Sequence, residues 1–421
     1  MERRKTALLI LSEYEEQKTF LNLALKNGLS KLGEGRAFVT ELVYGVVRYR
    51  RFLDEIINRF STTKVKKLST PVKNILRMGF YQYHFMDKVP DFAIVNESVK
   101  LTAKFAYKSK GLVNAVLRKG LTDAPKDISV AVKESFSDEV YELLHLQYGD
   151  QTEQLLSDLN QKVPLALRYN HQRFSSVEEA KTQLDDCERY GDVLLPQKVD
   201  NLSMLIENGD FSVQSVSSQW AVRVLDPKKG ERILDCCAAP GGKTAYIGEL
   251  MQNEGELVAT ELYPHRCELI EKNLSRCGIT IATVEEGDAS CKTFSEKFDR
   301  ILADVPCSGL GVIGGKPDIK WRDFGFSDLV ALQKQILNNM ANALKQGGVM
   351  VYSTCTVNRD ENERQIEWFL REHPEFSLEP FQMKLGETSY GESGMAQILP
   401  NGITIGFFIA KLRKNEIIGC G

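Results

Sequence analysis

Apolar residues recur at two different periods along this chain of 421 residues, and the change of period divides it. In the N-terminal part the period is helical. Phe38, Leu42 and Val46 stand four apart, and so do Val39, Val43 and Val47, which together make one broad apolar face. Thr70-Pro71 ahead of Val72-Lys73-Asn74-Ile75-Leu76 reads as an N-cap followed by proline in the first turn, where its missing N–H breaks no intrahelical bond. Residues 1–125 are therefore expected to form an all-α domain. Beyond residue 215, short apolar runs alternate with amphipathic stretches. Arg232–Asp235, Leu257–Glu261, Ala282–Glu285, Arg300–Asp304 and Val349–Ser353 predict strands, with helices such as Arg266–Cys277 and Leu329–Leu344 between them. That alternation predicts an α/β domain over 216–415 with a parallel, doubly wound sheet, whose ligands bind at the carboxyl ends of the strands. Residues 126–215 are mixed, with a helical stretch at Val140–Leu155, a strand candidate at Leu165–Tyr169 and the run Val193-Leu194-Leu195; they read as a small α/β connector.

Charge sharpens this division. Residues 1–125 carry 23 Lys+Arg against 12 Asp+Glu, a surplus of 11, whereas the remainder carries 31 against 45, a deficit of 14. Lys64, Lys66, Lys67, Lys73 and Arg77 gather near one predicted helix start, and Lys104, Lys108, Lys110, Arg118 and Lys119 lie further along. A basic helical block on an acidic body reads as a polyanion-binding module joined to a catalytic one, although a lysine-rich solvated surface gives the same count. No stretch reaches the roughly 18–20 uncharged apolar residues that span a bilayer, and Met1-Glu2-Arg3-Arg4-Lys5 opens a charged amphipathic segment unlike a secretory leader. A cytoplasmic chain without membrane contact is expected. Nine cysteines in that compartment read as reduced thiols, and Cys236-Cys237 adjacency without a Cys-x-x-Cys pair or histidine cluster predicts no metal site.

The chemistry concentrates at the predicted strand ends. Ile233-Leu234-Asp235 runs into Cys237-Ala238-Ala239-Pro240-Gly241-Gly242-Lys243, with a helix expected from Thr244. A phosphate-binding P-loop needs glycine where Cys237 stands, and Pro240 removes an amide from the cradle; the G-x-G-x-x-G dinucleotide pattern is also missing. The loop therefore suits a nucleoside-like cofactor without pyrophosphate. Glu261 ends the next predicted strand, placed to bond ribose hydroxyls, and Asp288 and Asp304 end the two after it. The ordered set of glycine-rich loop and three acids reads as an S-adenosylmethionine site, with ribose, adenine and the methionine ammonium as successive partners. Singly, such acids cap helices or solvate loops, and Glu261 can simply pair with Arg266. Pro306-Cys307 and Thr354-Cys355 lie at the ends of what should be adjacent strands, so both thiols can face one pocket, although either alone reads equally as a buried small hydrophobe. Beside a methyl donor they suit cytosine C5 chemistry: a thiolate adds to C6, C5 becomes nucleophilic, Asp304 supports protonation at the N3/N4 edge, and a second cysteine serves the release step.

Residues 215–415 resemble the RNA 5-methylcytosine methyltransferase family through Leu234-Asp235-Cys236-Cys237-Ala238-Ala239-Pro240-Gly241-Gly242-Lys243, Asp304-Val305-Pro306-Cys307-Ser308-Gly309, Pro317-Asp318-Ile319-Lys320-Trp321, Tyr352-Ser353-Thr354-Cys355-Thr356 with Glu361-Asn362-Glu363, and Gly406-Phe407-Phe408. Residues 1–125 resemble the NusB-type helical RNA-binding domain through Ala37-Phe38-Val39-Thr40-Glu41-Leu42-Val43-Tyr44-Gly45, Asn74-Ile75-Leu76-Arg77-Met78-Gly79 and Gly111-Leu112-Val113-Asn114-Ala115-Val116-Leu117-Arg118. Together they resemble the RsmB/Sun family of 16S rRNA (cytosine-C5) methyltransferases. The resemblance implies a class I, Rossmann-like methyltransferase domain behind a NusB-like domain, with Cys355 as nucleophile, Cys307 in product release and Asp304 beside them. It implies that Cys237, Ala238, Ala239, Pro240, Gly241, Gly242, Lys243, Glu261, Arg266, Asp288 and Asp304 hold S-adenosylmethionine. DNA enzymes of this chemistry use the Pro-Cys cysteine, here Cys307, so the division of roles between the thiols rests on the family.

Three positions depart from its pattern: Gly314-Gly315 where basic residues are usual, Ser215 where an acid is usual, and Ile405 where aspartate is frequent. The first touches a phosphate contact and the others the support around the cofactor. A base stacked in a helix hides C6, so the target must be unstacked or flipped, which suits single-stranded loops of folded RNA. The expected activity is methylation of C5 of a specific cytosine in small-subunit ribosomal RNA by a monomer. The alternatives are the same chemistry on transfer RNA or DNA, and a non-catalytic RNA-binding assembly or antitermination factor.

Overall fold

The computed structural model describes residues 2–87, 89–122, 127–190, 193–199 and 201–416. The chain forms two compact units, one of Met1–Asn160 with Gly315–Arg322, the other of Gln161–Gly314 with Asp323–Gly421. The expected boundary between residues 125 and 126 lies outside the described residues.

The first unit is helical. α1 (Glu2–Gln17), α2 (Leu21–Ser30), α3 (Arg36–Arg48), α4 (Arg50–Phe60), α5 (Thr70–Phe85), α6 (Asp91–Phe105) and α7 (Lys110–Gly120) enclose one apolar core. The α3 face read from the sequence is the one buried: Val39, Leu42, Val43, Val46 and Val47 lie in the core and Phe38 packs partly against it. α5 starts one residue earlier than expected, at Thr70, with the extended residue Ser69 at the cap and Pro71 in the first turn. The helix expected over Val140–Leu155 is broken into Asp138–Tyr148 and Thr152–Asn160, because Gly149 adopts φ +55°. These later helices join the first unit rather than a separate connector. Arg51 fixes their approach, its N–H donating to Ser135 Oγ at 2.9 Å and its Nη1 to Phe136 O at 2.5 Å.

Gly315–Arg322 leaves the methyltransferase-like half of the sequence and is planted in this helical unit. Lys320 is buried there, its Nζ donating to Arg48 O and Glu134 O, each at 3.0 Å, and to Asn160 Oδ1 at 2.5 Å, and it sits 3.9 Å from the centroid of the Phe136 ring. Those three acceptors match the three N–H bonds of an ammonium group. Trp321 follows, with Nε1 donating to Val47 O at 2.7 Å.

The second unit holds two main sheets. β1 (Leu167–Tyr169), β2 (Asp186–Tyr190), β3 (Val193–Lys198) and β4 (Phe211–Val213) form a small antiparallel sheet in the order β2-β3-β1-β4. The large sheet runs β10 (Phe376–Leu378), β14 (Phe407–Lys414), β9 (Leu344–Thr354), β8 (Phe298–Asp304), β5 (Arg232–Asp235), β6 (Glu256–Glu261), β7 (Ala282–Glu286), with β13 (Met395–Ile398) against β14; β11 (Met383–Leu385) and β12 (Thr388–Tyr390) make a hairpin. The five strands read from the sequence are its parallel core, β7-β6-β5-β8-β9. The sheet is not parallel throughout. β14 pairs antiparallel with β9, β13 and β10, and for β13 the connection to β14 is too short for the crossover that a parallel neighbour requires. Strand order reverses between β5 and β8, and the crevice at that switch point is where such sheets bind ligands.

Replacing Lys320 by methionine keeps the side-chain length but takes a donor from three buried acceptors, of which Glu134 O keeps Asn160 Nδ2 at 3.0 Å. Lys320→Met is expected to cost the helical unit about 2–4 kcal/mol, read as faster hydrogen exchange at the α3 amides; unchanged exchange would show that the buried ammonium contributes nothing.

Candidate active site

The register of β8 on β9 sets Asp304 opposite Ser353, and from there two loops carry Cys307 and Cys355 to the same end of the sheet. The two Sγ atoms are 3.5 Å apart. Asp304 is fixed by two neighbours: Lys243 Nζ donates to its Oδ2 at 2.6 Å and Ser353 Oγ to its Oδ1 at 2.7 Å. Burial alone would lower the Lys243 pKa, but Asp304 more than offsets it and holds the ammonium above its ordinary value. The Cys307 thiol is pushed well up, first by its hydrogen bond with Cys355 and then by burial.

The cysteine loops are tied to each other by a buried carboxylate. Glu361 accepts from the Ser308 N–H at 2.9 Å, from Gln333 Nε2 at 3.0 Å and from Asn358 Nδ2 at 3.0 Å. Gln333 reaches Pro306 O as well, at 2.9 Å, and Ser308 Oγ lies 2.7 Å from Thr356 Oγ1. Asn362 continues the network, accepting from Thr354 Oγ1 at 2.6 Å and donating to Thr356 O at 3.0 Å. Gly311 closes it: its N–H donates to Cys355 O at 3.0 Å, and a Cβ there would stand 1.9 Å from Gly406 O and 2.8 Å from Cys355 O. No side chain fits at that crossing.

The glycine-rich loop lies at the end of β5. Cys236 N–H bonds Leu302 O and Ala238 N–H bonds Thr260 O, both at 3.0 Å, so the loop is laced to β8 and β6 before the helix Gly242–Leu250 begins. The peptide between Ala239 and Pro240 is cis, and Gly241 adopts φ +96°, which favours glycine. A Cβ on Gly242 would meet nothing within 4 Å, so there is room for a ligand at the helix N-terminus. Behind the loop, the buried Arg168 donates through Nη1 to Gly242 O at 2.7 Å and through Nη2 to Glu249 Oε1 at 2.6 Å. Asp235 ends β5 and accepts from Thr244 Oγ1 at 2.8 Å, while its Oδ1 is buried without a hydrogen-bond partner. Burial pushes this carboxyl up to about 7.

Cys237, half-buried, sits on this loop with its thiol pushed well up, first by its hydrogen bond with Cys236 and then by burial. Glu261 is the last, buried residue of β6, with Oε1 3.1 Å from Arg266 Nη1. The pairing with Arg266 that the sequence allowed is therefore present. Asp288 lies two residues past the end of β7, not at its last residue, and its Oδ1 accepts from the Ser290 N–H at 2.8 Å and Oγ at 2.7 Å. Open room at Gly242, the orphaned Asp235 oxygen and the acid at the β6 end fit an adenosyl cofactor with a charged amino-acid tail. Among the described residues no cluster suited to a metal ion is found.

Sequence reasoning gave no role to Arg168, Asp235, Glu249, Gln333 and Glu361. Arg168 had one signal, an arginine inside an apolar run that must be buried. Its partner Glu249 lies 81 residues away and nothing in the order of residues joins them.

A model of the family described as 16S rRNA methyltransferase RsmB/F matches residues 222–413, and the NusB family matches residues 1–121. The chain is 36% identical to a probable ribosomal RNA small subunit methyltransferase B from Synechocystis sp., over 98% of this chain and 99% of that one. It is 33% identical to a protein of the same name from Bacillus subtilis (strain 168), over 98% of each chain. The solved structure of PH0851 superposes with a TM-score of 0.80 at 25% identity, covering 98% of this chain and 99% of that one. NSun6 from Pyrococcus horikoshii, solved with SFG, shares the fold at a TM-score of 0.60 and 23% identity, over 67% of this chain and 99% of that one. Among the described residues no helix is long and apolar enough to cross a membrane.

Two outcomes follow from this geometry. Because the Asp235 pKa is raised to about 7 on folding, from roughly 3.9 in an unfolded chain, its contribution to stability is full below the lower value and is lost as pH rises through the upper one. Thermal melts of wild type and Asp235→Asn should therefore diverge in favour of the variant between pH about 4 and about 7; a constant difference would contradict the raised pKa. Gly311→Ala should cost about 1–3 kcal/mol and speed iodoacetamide labelling of Cys307 and Cys355 as the crossing loops separate.

Proposed function

The chain belongs to the 16S rRNA methyltransferase RsmB/F family, and on that premise we propose that it methylates C5 of a cytosine in small-subunit rRNA through a covalent bond between Cys355 and C6 of the ring. As an rRNA methyltransferase it carries out S-adenosylmethionine-dependent methylation. The observation that supports the finer reading is the pair of thiols 3.5 Å apart beside the fixed carboxylate of Asp304.

A cytosine C5 is a weak nucleophile until C6 carries a sulfur, after which the ring behaves as an enamine. Bound S-adenosylmethionine supplies an electrophilic methyl group. Asp304, positioned by Lys243 and Ser353, supports protonation at the N3/N4 edge while each of its oxygens keeps a second lone pair. Cys307 holds its proton while Cys355 is a thiolate, since the bond between them is the first cause of its raised pKa. Once Cys355 is bonded to C6 it no longer shares a hydrogen bond with Cys307, which is the neighbouring group placed to serve the release step. Cys307 must first release its own proton to solvent; its sulfur then takes the C5 proton, the C5–H electron pair re-forms the C5=C6 bond, and the C6–S bond breaks to return Cys355 as a thiolate.

We assign cofactor binding to Cys237, Ala238, Ala239, Pro240, Gly241, Gly242 and Lys243, with Glu261 and Arg266 at the ribose, Asp288 at the adenine and Asp304 toward the amino-acid tail. Residues 216–415 carry the chemistry and residues 1–125 select the RNA.

Transfer of label from S-adenosylmethionine to small-subunit rRNA should fall by at least about 10³-fold in Cys355→Ala, and also in Cys307→Ala, where a denaturation-resistant protein–RNA adduct should accumulate. An adduct in Cys355→Ala instead would reverse the two roles, and methyl transfer to transfer RNA alone would sink the rRNA reading.

A further inference from the structure

The helical unit contains a cleft of about 770 Å³ lined in part by Lys18, Phe20, Arg50, Lys73, Arg77 and Trp321, within the roughly 300–1,000 Å³ usual for ligand sites. Its five cations, Arg322 included, face three acids, Glu15, Asp54 and Asp318. Each acid is already neutralised. Arg77 grips Asp54 with two bonds, at 2.6 and 2.8 Å, and also Glu15, which takes Lys73 at 2.8 Å; Asp318 takes Arg322 at 2.8 Å.

Arg50 and Lys18 are left over, and neither makes an ion pair among the described residues. Arg50 does not wander to solvent: its guanidinium lies over the Trp321 ring, 4.0 Å from the centroid. Burial, and then repulsion from Arg77, lower its pKa, so the cation is uncomfortable where it stands. A half-buried guanidinium beside a cationic neighbour, whose nearby acids Asp54 and Glu15 are already bonded to Arg77, is the arrangement an incoming anion completes. Phe20 adds the second element. It is 67% exposed at the same cleft, an aromatic face with nothing covering it.

We propose that this cleft is a nucleotide subsite for single-stranded RNA, in which Arg50 and Lys18 hold a backbone phosphate and Phe20 stacks an unpaired base. The inference rests on the reading of RNA as substrate and locates one of its contacts. Phosphate and base act separately, because a phosphate contact is sensitive to salt whereas stacking is not. Trp321 gives the cleft a further property. It belongs to the segment that continues from the Cys307 loop in sequence, 14 residues beyond that thiol.

The test uses the full chain without cofactor and a short fluorescein-labelled single-stranded RNA of mixed sequence, followed by anisotropy across a salt series. Arg50→Gln and Lys18→Gln should each weaken binding several-fold at low salt and reduce the slope of log affinity against log salt by about 0.7. Phe20→Ala should weaken binding about tenfold with the slope unchanged. Lys18 and Phe20 are exposed, so their variants fold even if Arg50→Gln does not. Wild-type affinity and slope in both the Lys18 and Phe20 variants would overturn the proposal. So would a fluorescein-labelled polyglutamate peptide that binds as tightly as RNA and is indifferent to Phe20, which would make the cleft an acidic-peptide site. Methyl transfer by wild type is measured in parallel: transfer without any effect of the cleft variants on binding removes the subsite alone, and cleft-dependent binding without transfer removes the catalytic reading alone.

Discussion

The site depends on the parallel pairing of β8 with β9. A parallel pair presents both carboxyl ends on one edge of the sheet, and its register here sets Asp304 level with Ser353. Two residues of opposite hydrogen-bonding capacity thus share one face, and the loops that follow must both turn over the same crevice. Everything nearer the thiols is a consequence of closing those loops against each other. Glu361 does so by bonding the start of one while standing at the far end of the other, and Gly311 allows a backbone contact that any side chain would block. A one-residue slip of β9 would turn Ser353 to the opposite face and separate the thiols.

Buried charge is used sparingly and in matched groups. Arg168 with Glu249, Lys243 with Asp304 and Glu361 with three donors each satisfy the requirement that a charge removed from water find partners. Asp235 departs from this rule, with one oxygen bonded and one bare, and it responds by raising its pKa to about 7. That unfinished carboxyl lies at the first strand end, directly before the cofactor loop.

The helical unit shows the same economy. Its surplus positive charge is not spread evenly, since near α5 acids are paired off until Arg50 and Lys18 remain. The segment Gly315–Arg322 supplies the Trp321 ring against which Arg50 lies, and Lys320 secures that segment through three backbone and side-chain acceptors. A stretch whose sequence reads as part of the catalytic half therefore completes a surface of the helical one.

The order of residues determined the local elements and their chemistry. The four-residue spacing of Val39, Val43 and Val47, the apolar runs at Ile233 and Ile301, and the glycine-rich turn after Asp235 each specify structure within a few residues, because helix, strand and tight turn are set by short-range sterics and periodic burial. The thiols, the loop and the acids were legible for the same reason. What only the tertiary structure decided was which groups meet. Arg168 and Glu249, or Lys320 and Asn160, are joined across 81 and 160 positions by packing that no local pattern encodes. The pairing of Glu261 with Arg266 was a choice between local options that sequence left open, and the break at Gly149 interrupted the continuous helix expected over Val140–Leu155.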